Sequence, residues 1–112
     1  MKITKKEFQI FQDEFQKWVS VLSLKRWEIR FQHKKMDVAF ALCETSLSDM
    51  VAWITLNTEI MDGHVSVKMA AKHEALELLL APLRINAFSR HVTPDEIDEA
   101  SHGIIRTLEK II

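Results

Sequence analysis

Residues 71–83, AKHEALELLLAPL, place one histidine and two glutamates among apolar side chains on a predicted helix. At about 100° per residue, His73, Glu74 and Glu77 fall within roughly a third of the helix circumference, and leucine and alanine side chains surround them. The strongly polar rim, at Lys68 and Lys72, lies on the opposite side. Burying two carboxylates and an imidazole without partners costs several kcal/mol. We therefore expect a compensating interaction at this position.

The sequence leaves two kinds of compensation open. In the first, Glu74 or Glu77 reaches solvent or pairs with Arg84 or Arg90, and His73 is a hydrogen-bonded core histidine. In the second, a divalent metal ion binds. Positions i and i+4 lie one turn apart on the same helix face, so His73 and Glu77 can both reach one ion, while Glu74 points at a metal-bound water.

A metal site of this kind needs a third ligand from another part of the chain. His102 is the first candidate, because it borders the apolar stripe of a predicted final helix that should pack against residues 71–83. His91 and His64 are lesser candidates in predicted loops. His73, Glu77 and His102 together form a two-His, one-Glu set, the composition of catalytic zinc sites with an open fourth position.

The remaining segments alternate between helical and strand periodicity. A helix with a Thr4/Glu7 capping box is predicted over residues 4–22. Three strand segments follow, which are KRWEIRFQH (25–33), DVAFALCET (37–45) and MVAWITLN (50–57). The second of them is apolar enough on both faces for a central strand. The helix that carries the histidine starts near Ser66 and runs to Leu80 or beyond, with Pro82 marking a kink or an end.

The final helix is predicted from its capping pattern. Thr93 is the N-cap, Pro94 takes the first helical position, and Glu96 completes a capping box. A stripe predicted to be buried follows, formed by Ile97, Ala100, Ser101, Ile104, Leu108 and Ile111. The order α, β, β, β, α, α predicts a single α+β domain over residues 1–112. Its small, mostly antiparallel three-stranded sheet should pack with three helices.

Composition excludes several classes of protein. The chain has 112 residues, of which 47% are hydrophobic and 28% charged, so it is not disordered. Cys43 is the only cysteine, which rules out an internal disulfide and a cysteine-based zinc site. The net charge of −1 gives no overall case for nucleic acid, although residues 1–35 are basic. Since no apolar run reaches signal-peptide or membrane-span length, we expect a cytoplasmic protein without a membrane partner.

The segments VAWITLN, AKHEALELLL and EIDEASHGIIRTLEKII resemble the zincin metallopeptidase superfamily, and more closely the small zincin-like proteins that phages and prophages encode. In these proteins the helix motif is generally H-E-x-x-H, and a Glu in the last helix completes the ligand set. The resemblance implies that His73, Glu77 and His102 bind zinc or another divalent metal, with the second and third ligands interchanged. It also implies that Glu74 is the general base.

Several functions follow as expectations from this resemblance. The first is zinc-dependent peptide hydrolysis, with an extended peptide pairing along the strand at residues 52–56. Its rival is a non-catalytic phage or prophage interaction protein on a degenerate zincin-like fold, with a peptide, a protein or a second copy as partner. Phage encoding would place the protein in the host cytoplasm. Nucleic-acid binding by the basic first third is a weaker third class.

Overall fold

In the described residues, six regular elements follow one another in the order that the sequence predicts. The computed structural model describes residues 2–60, 66–89 and 91–111. Their elements are α1 (Lys5–Val21), β1 (Glu28–Lys34), β2 (Ala41–Ser46), β3 (Val51–Asn57), α2 (Val67–Phe88) and α3 (Pro94–Glu109). The predicted α+β class is confirmed. Within this described part of the chain, no helix combines the length and the apolar character needed to cross a lipid bilayer.

The sheet has the strand order β1-β3-β2 and is mixed. β3 pairs in parallel with β1, from Glu28 opposite Val51 onward, and antiparallel with β2, from Ala41 opposite Leu56 onward. The expectation of a mostly antiparallel sheet is therefore wrong. A tight turn at residues 47–50 makes β2 and β3 an antiparallel pair, whereas the longer segment 35–40 leaves room for β3 to insert beside β1.

The central and edge positions are the reverse of those predicted. β3 is the central strand, and its Ala52, Ile54 and Leu56 are fully buried. β2, which was predicted to be central, lies at an edge. The expectation that a peptide pairs along residues 52–56 is also wrong, because both edges of β3 are already bonded to neighbouring strands. Apolar periodicity shows which face of a strand is covered but not which strand lies beside it.

The core lies between the sheet and the helices α1 and α2. Phe11 and Phe15 of α1 and Leu78 of α2 are fully buried, and all three belong to one cluster with the inner face of β3. α2 continues through Pro82 as far as Phe88, six residues beyond the position where a kink or an end was predicted. Proline removes one backbone hydrogen bond, and here the packing of the helix compensates for that loss.

Both predicted capping boxes are confirmed. The Thr4 and Thr93 hydroxyls accept the backbone N–H groups of Glu7 and Glu96, at 3.1 and 3.2 Å, and each glutamate accepts in return from its N-cap residue. The predicted burial of α3 is wrong, however. None of its residues is buried, and its apolar stripe is only half covered by α2 and the α1–β1 connection.

Candidate functional site

The three motif residues of α2 lie in very different surroundings. Glu74 is buried, with 7% of its surface exposed, whereas the side chain of His73 is 69% exposed. The prediction that all three groups lie among buried leucines is therefore wrong for His73. The apolar side chains expected to bury the imidazole are themselves exposed, since Leu76 and Leu80 retain 37% and 38% of their surface. An apolar border on a helix does not identify the face that meets the core.

Glu77 takes part in the ion pair that the first interpretation allowed. The Arg84 guanidinium Nη1 donates to Glu77 Oε2 at 2.6 Å, which confirms Arg84 as a partner. His73 Nε2 lies 3.4 Å from the other carboxylate oxygen, Oε1. His73 and Arg84, which contact the two oxygens of the Glu77 carboxylate, thus both belong to α2. His73 lies one helical turn before Glu77, and Arg84 lies two turns after it. In the described residues, a guanidinium contacts the carboxylate that was expected to bind a metal.

Glu74 is the carboxyl group of the site whose pKa is raised. Burial raises its pKa from 4.5 to about 7; the nearby His73 lowers it and the Glu77 carboxylate raises it. A carboxyl group with a pKa near neutrality can take up and release a proton at physiological pH. This property fits the predicted role of general base, but burial and the neighbouring Glu77 carboxylate account for it without a metal.

Cys43 of β2 faces the same carboxylates across the helix–sheet boundary. Burial first, and then the charges of Glu74, Glu77 and Glu44, raise the pKa of its thiol from 9.0 to about 12. A thiol of this kind is almost wholly protonated at neutral pH and is a poor nucleophile or metal ligand. The electrostatics of the site therefore exclude Cys43 from thiolate chemistry in this conformation.

A groove of about 180 Å³ runs beside these residues, between the outer edge of β2 and α2. It is lined by Cys43, Thr45, Glu77, Ala81, Arg84, Ile85 and Phe88. Phe88 is 82% exposed at the end of the groove. The sequence indicated neither Thr45 nor Phe88 as functional. Phe88 would have been found only if the helix had been predicted to continue through Pro82.

The structure does not bring the three predicted metal ligands together. In the residues that it describes, no three His, Cys, Asp or Glu side chains form a group that could hold a metal ion. His102 is exposed on α3, which packs against the C-terminal half of α2, where Asn86 donates to the Glu96 carbonyl at 3.4 Å. His91 is also exposed, and His64 lies outside the described residues. The ligand set His73, Glu77 and His102, and zinc itself, stay predictions.

Comparisons with known proteins leave the family open. Neither family models, nor curated proteins, nor solved structures include a match to this chain. The zincin-like assignment consequently stays a prediction from the motif residues of the sequence.

Proposed function

We propose that this chain is a zincin-like domain that binds an extended segment of a partner protein along the outer edge of β2 without cleaving it. The observation that carries the proposal is the groove that joins this free strand edge to the exposed side of α2. Backbone pairing would supply affinity, and the groove would select side chains, as in other proteins that add a strand to a sheet.

The hydrogen-bond register identifies the free backbone groups of β2. The Asn57 N–H donates to the Phe40 carbonyl at 2.8 Å, just beyond the paired strands. Because bonded and non-bonded pairs alternate in an antiparallel ladder, Leu42, Glu44 and Ser46 bond to β3 in the same way. The N–H and C=O groups of residues 41, 43 and 45 then point outward. Among the described residues, no other strand pairs with this edge.

The side chains beside this edge suggest what an incoming strand would present. Cys43 and Thr45 carry the outward backbone groups and also line the groove. A peptide paired with β2 would therefore direct alternate side chains into the groove. Ile85 and Phe88 offer apolar surface at one end, and the Glu77–Arg84 ion pair offers a donor and an acceptor beside it. We expect a preference for apolar residues alternating with polar ones.

This proposal does not include cleavage, because of the number of metal ligands that the described residues bring together. A catalytic zinc site of the zincin type needs three protein ligands. His73 and Glu77 supply two donors, and Arg84 already engages one Glu77 oxygen. Among the described residues no third donor joins these two to form a metal-binding group, so this proposal contains no hydrolytic step.

A proline scan of the edge strand tests peptide binding. Peptides are first selected on the intact chain from a library of random extended peptides. Their affinities are then measured for Thr45→Pro, which removes an outward N–H without removing a bond to β3, and for the matched control Thr45→Val, which keeps that N–H. We expect Thr45→Pro to weaken every selected peptide at least tenfold and Thr45→Val to have little effect.

Two results would contradict strand addition. One is a library that yields no binder to the folded chain. The other is a set of binders that retain their affinity for a folded Thr45→Pro variant. Circular dichroism and an unfolding curve for each variant separate loss of binding from loss of the fold.

A second candidate function is metal-dependent peptide hydrolysis, which the buried Glu74 favours through its pKa of about 7. If zinc binds, it would polarise a carbonyl and activate water. Elemental analysis of the chain purified without chelator would then find zinc that His73→Ala and His102→Ala each remove. Glu74→Gln should retain the metal and lose cleavage of an unfolded protein. A metal-free chain without cleavage, or metal that survives both histidine substitutions, would reject this candidate.

A further inference from the structure

The outward face of α2 carries an apolar seam that no described element covers completely. Its members recur at alternating intervals of four and three residues, and they are Met69, His73, Leu76, Leu80, Leu83 and Ala87. Met69 is 60% exposed, and Leu76 and Leu80 are each more than one-third exposed. These intervals are those of the a and d positions of a heptad, the spacing that joins two helices.

The seam lies opposite the side of α2 that meets the core. At about 100° per residue, its centre is roughly half a turn from the fully buried Ala71 and Leu78. α1 and α3 contact the intervening flank, and the groove beside β2 occupies the other. Contiguous exposed apolar side chains of this kind are typical of interaction surfaces.

We propose that this surface binds the same surface of a second copy of the chain, with the two α2 helices parallel. A heptad seam is self-complementary, because each a or d layer meets the identical layer of the other helix. Charges at its borders support the parallel arrangement. Lys72 occupies a g position and Glu77 the following e position, so Lys72 of each copy faces Glu77 of the other in two symmetric pairs. In the antiparallel arrangement the two Glu77 carboxylates would face each other instead.

The dimensions of the seam allow a weak, reversible dimer. From Met69 to Ala87 it extends about 27 Å at 1.5 Å per residue. That length is shorter than the three to four heptads usual for an independent coiled coil. Here, however, the fold already holds α2 as a helix, so dimerisation does not incur the entropic cost of forming it.

His73 gives the interface a distinctive property. In the parallel dimer its imidazole occupies an a position between Met69 and Leu76 and faces the same residue of the second copy. A polar side chain in such a layer specifies register at a cost in stability. Replacing His73 with leucine should therefore tighten the dimer, the opposite of what most interface substitutions do.

Sedimentation equilibrium over a wide range of protein concentration tests the proposal. We expect a monomer–dimer equilibrium in the wild type, which Leu80→Glu weakens by at least about 100-fold, since two buried charges would face each other. The matched control is Val38→Glu, the same kind of change at a position that is 83% exposed in the loop before β2. It should leave the equilibrium unchanged. His73→Leu should tighten it.

Charge exchange tests the parallel orientation. Lys72→Glu and Glu77→Lys should each weaken the dimer about tenfold, and the double variant should restore most of the affinity. Because Lys72 also lies over Trp18, with Nζ 5.1 Å from the ring centroid, an unfolding curve checks that each variant keeps its fold. A double variant no tighter than either single one would overturn the parallel arrangement.

A wild type that stays monomeric at every concentration would overturn dimerisation itself, as would a dimer that survives Leu80→Glu. Glu77 borders both the groove and the seam, but Thr45 lies only at the groove and Leu80 only in the seam, so variants of these two residues test the proposals separately. Thr45→Pro should leave the dimer intact, and Leu80→Glu should leave peptide binding intact.

Discussion

Replacing Glu74 with glutamine should stabilise the fold, and the gain should depend on pH. Glutamine has nearly the same shape as glutamate but does not ionise. In the folded chain, burial raises the pKa of Glu74 from 4.5 to about 7, so the folded state holds this proton more tightly than the unfolded state does. The tighter proton binding of the folded state contributes fully to the free energy of unfolding below about pH 4.5. This contribution decreases as the pH rises and is lost once the pH has passed about 7.

The magnitude follows from the two pKa values. At about 1.4 kcal/mol for each tenfold change in proton affinity, the change from 4.5 to about 7 corresponds to roughly 3 kcal/mol. Any water that reaches the carboxylate in the folded chain reduces this value, so we expect a gain for Glu74→Gln of at most about 3 kcal/mol at pH values of about 8 and above. Near pH 4.5 and below, ionisation of Glu74 should contribute almost nothing to the difference.

Urea unfolding followed by tryptophan fluorescence measures this effect, because Trp18, Trp27 and Trp53 pack against different parts of the domain. The free energy of unfolding of the wild type and of Glu74→Gln is compared at several pH values. Glu44→Gln, at an exposed position of β2, is the matched control and should show no comparable change. A difference between wild type and Glu74→Gln that is the same at every pH would refute a buried, proton-binding Glu74.

Three further predictions concern other residues of the fold and the site. Because its thiol pKa is raised to about 12, Cys43 should react with iodoacetamide about 1,000-fold more slowly in the folded chain than in urea; equal rates by mass spectrometry would contradict its burial. Arg84→Ala should lower the free energy of unfolding by less than about 1 kcal/mol, since its ion pair with Glu77 is partly exposed. A larger decrease, measured by urea unfolding, would show that the pair stabilises the fold. Asn57→Ala should lower the free energy of unfolding by about 3 kcal/mol, because the buried Asn57 amide bonds to the backbone of Met36, Ala39 and Glu59. The exposed Asn86→Ala is the control and should lower it by under about 1 kcal/mol. Similar losses for the two variants would exclude Asn57 as an anchor of the segment between β1 and β2.

Local signals in the sequence predicted local structure. Both capping boxes closed as expected, because the side chain and the backbone group that it satisfies are only three residues apart. The strand segments were also found, since alternation of apolar side chains is a property of each strand alone. Their order was not found. Insertion of β3 between β1 and β2 depends on pairing between residues more than twenty positions apart, such as Ile29 with Ala52.

For the candidate site, too, the sequence determined local relations and the tertiary structure determined the surroundings of each side chain. The sequence by itself determined that His73, Glu74 and Glu77 share one side of a helix, and that Arg84 is within reach, because helical geometry fixes these relations. Only the tertiary structure decided that Glu74 is buried, that His73 is exposed and that His102 is exposed on α3. The physical reason is that the apolar residues of α2 are not confined to one side, since exposed Leu76 and Leu80 lie on a different side from buried Ala71 and Leu78. The pattern of α2 cannot show which side meets the sheet, so the choice is made by the packing of α1, β2 and α3 around it.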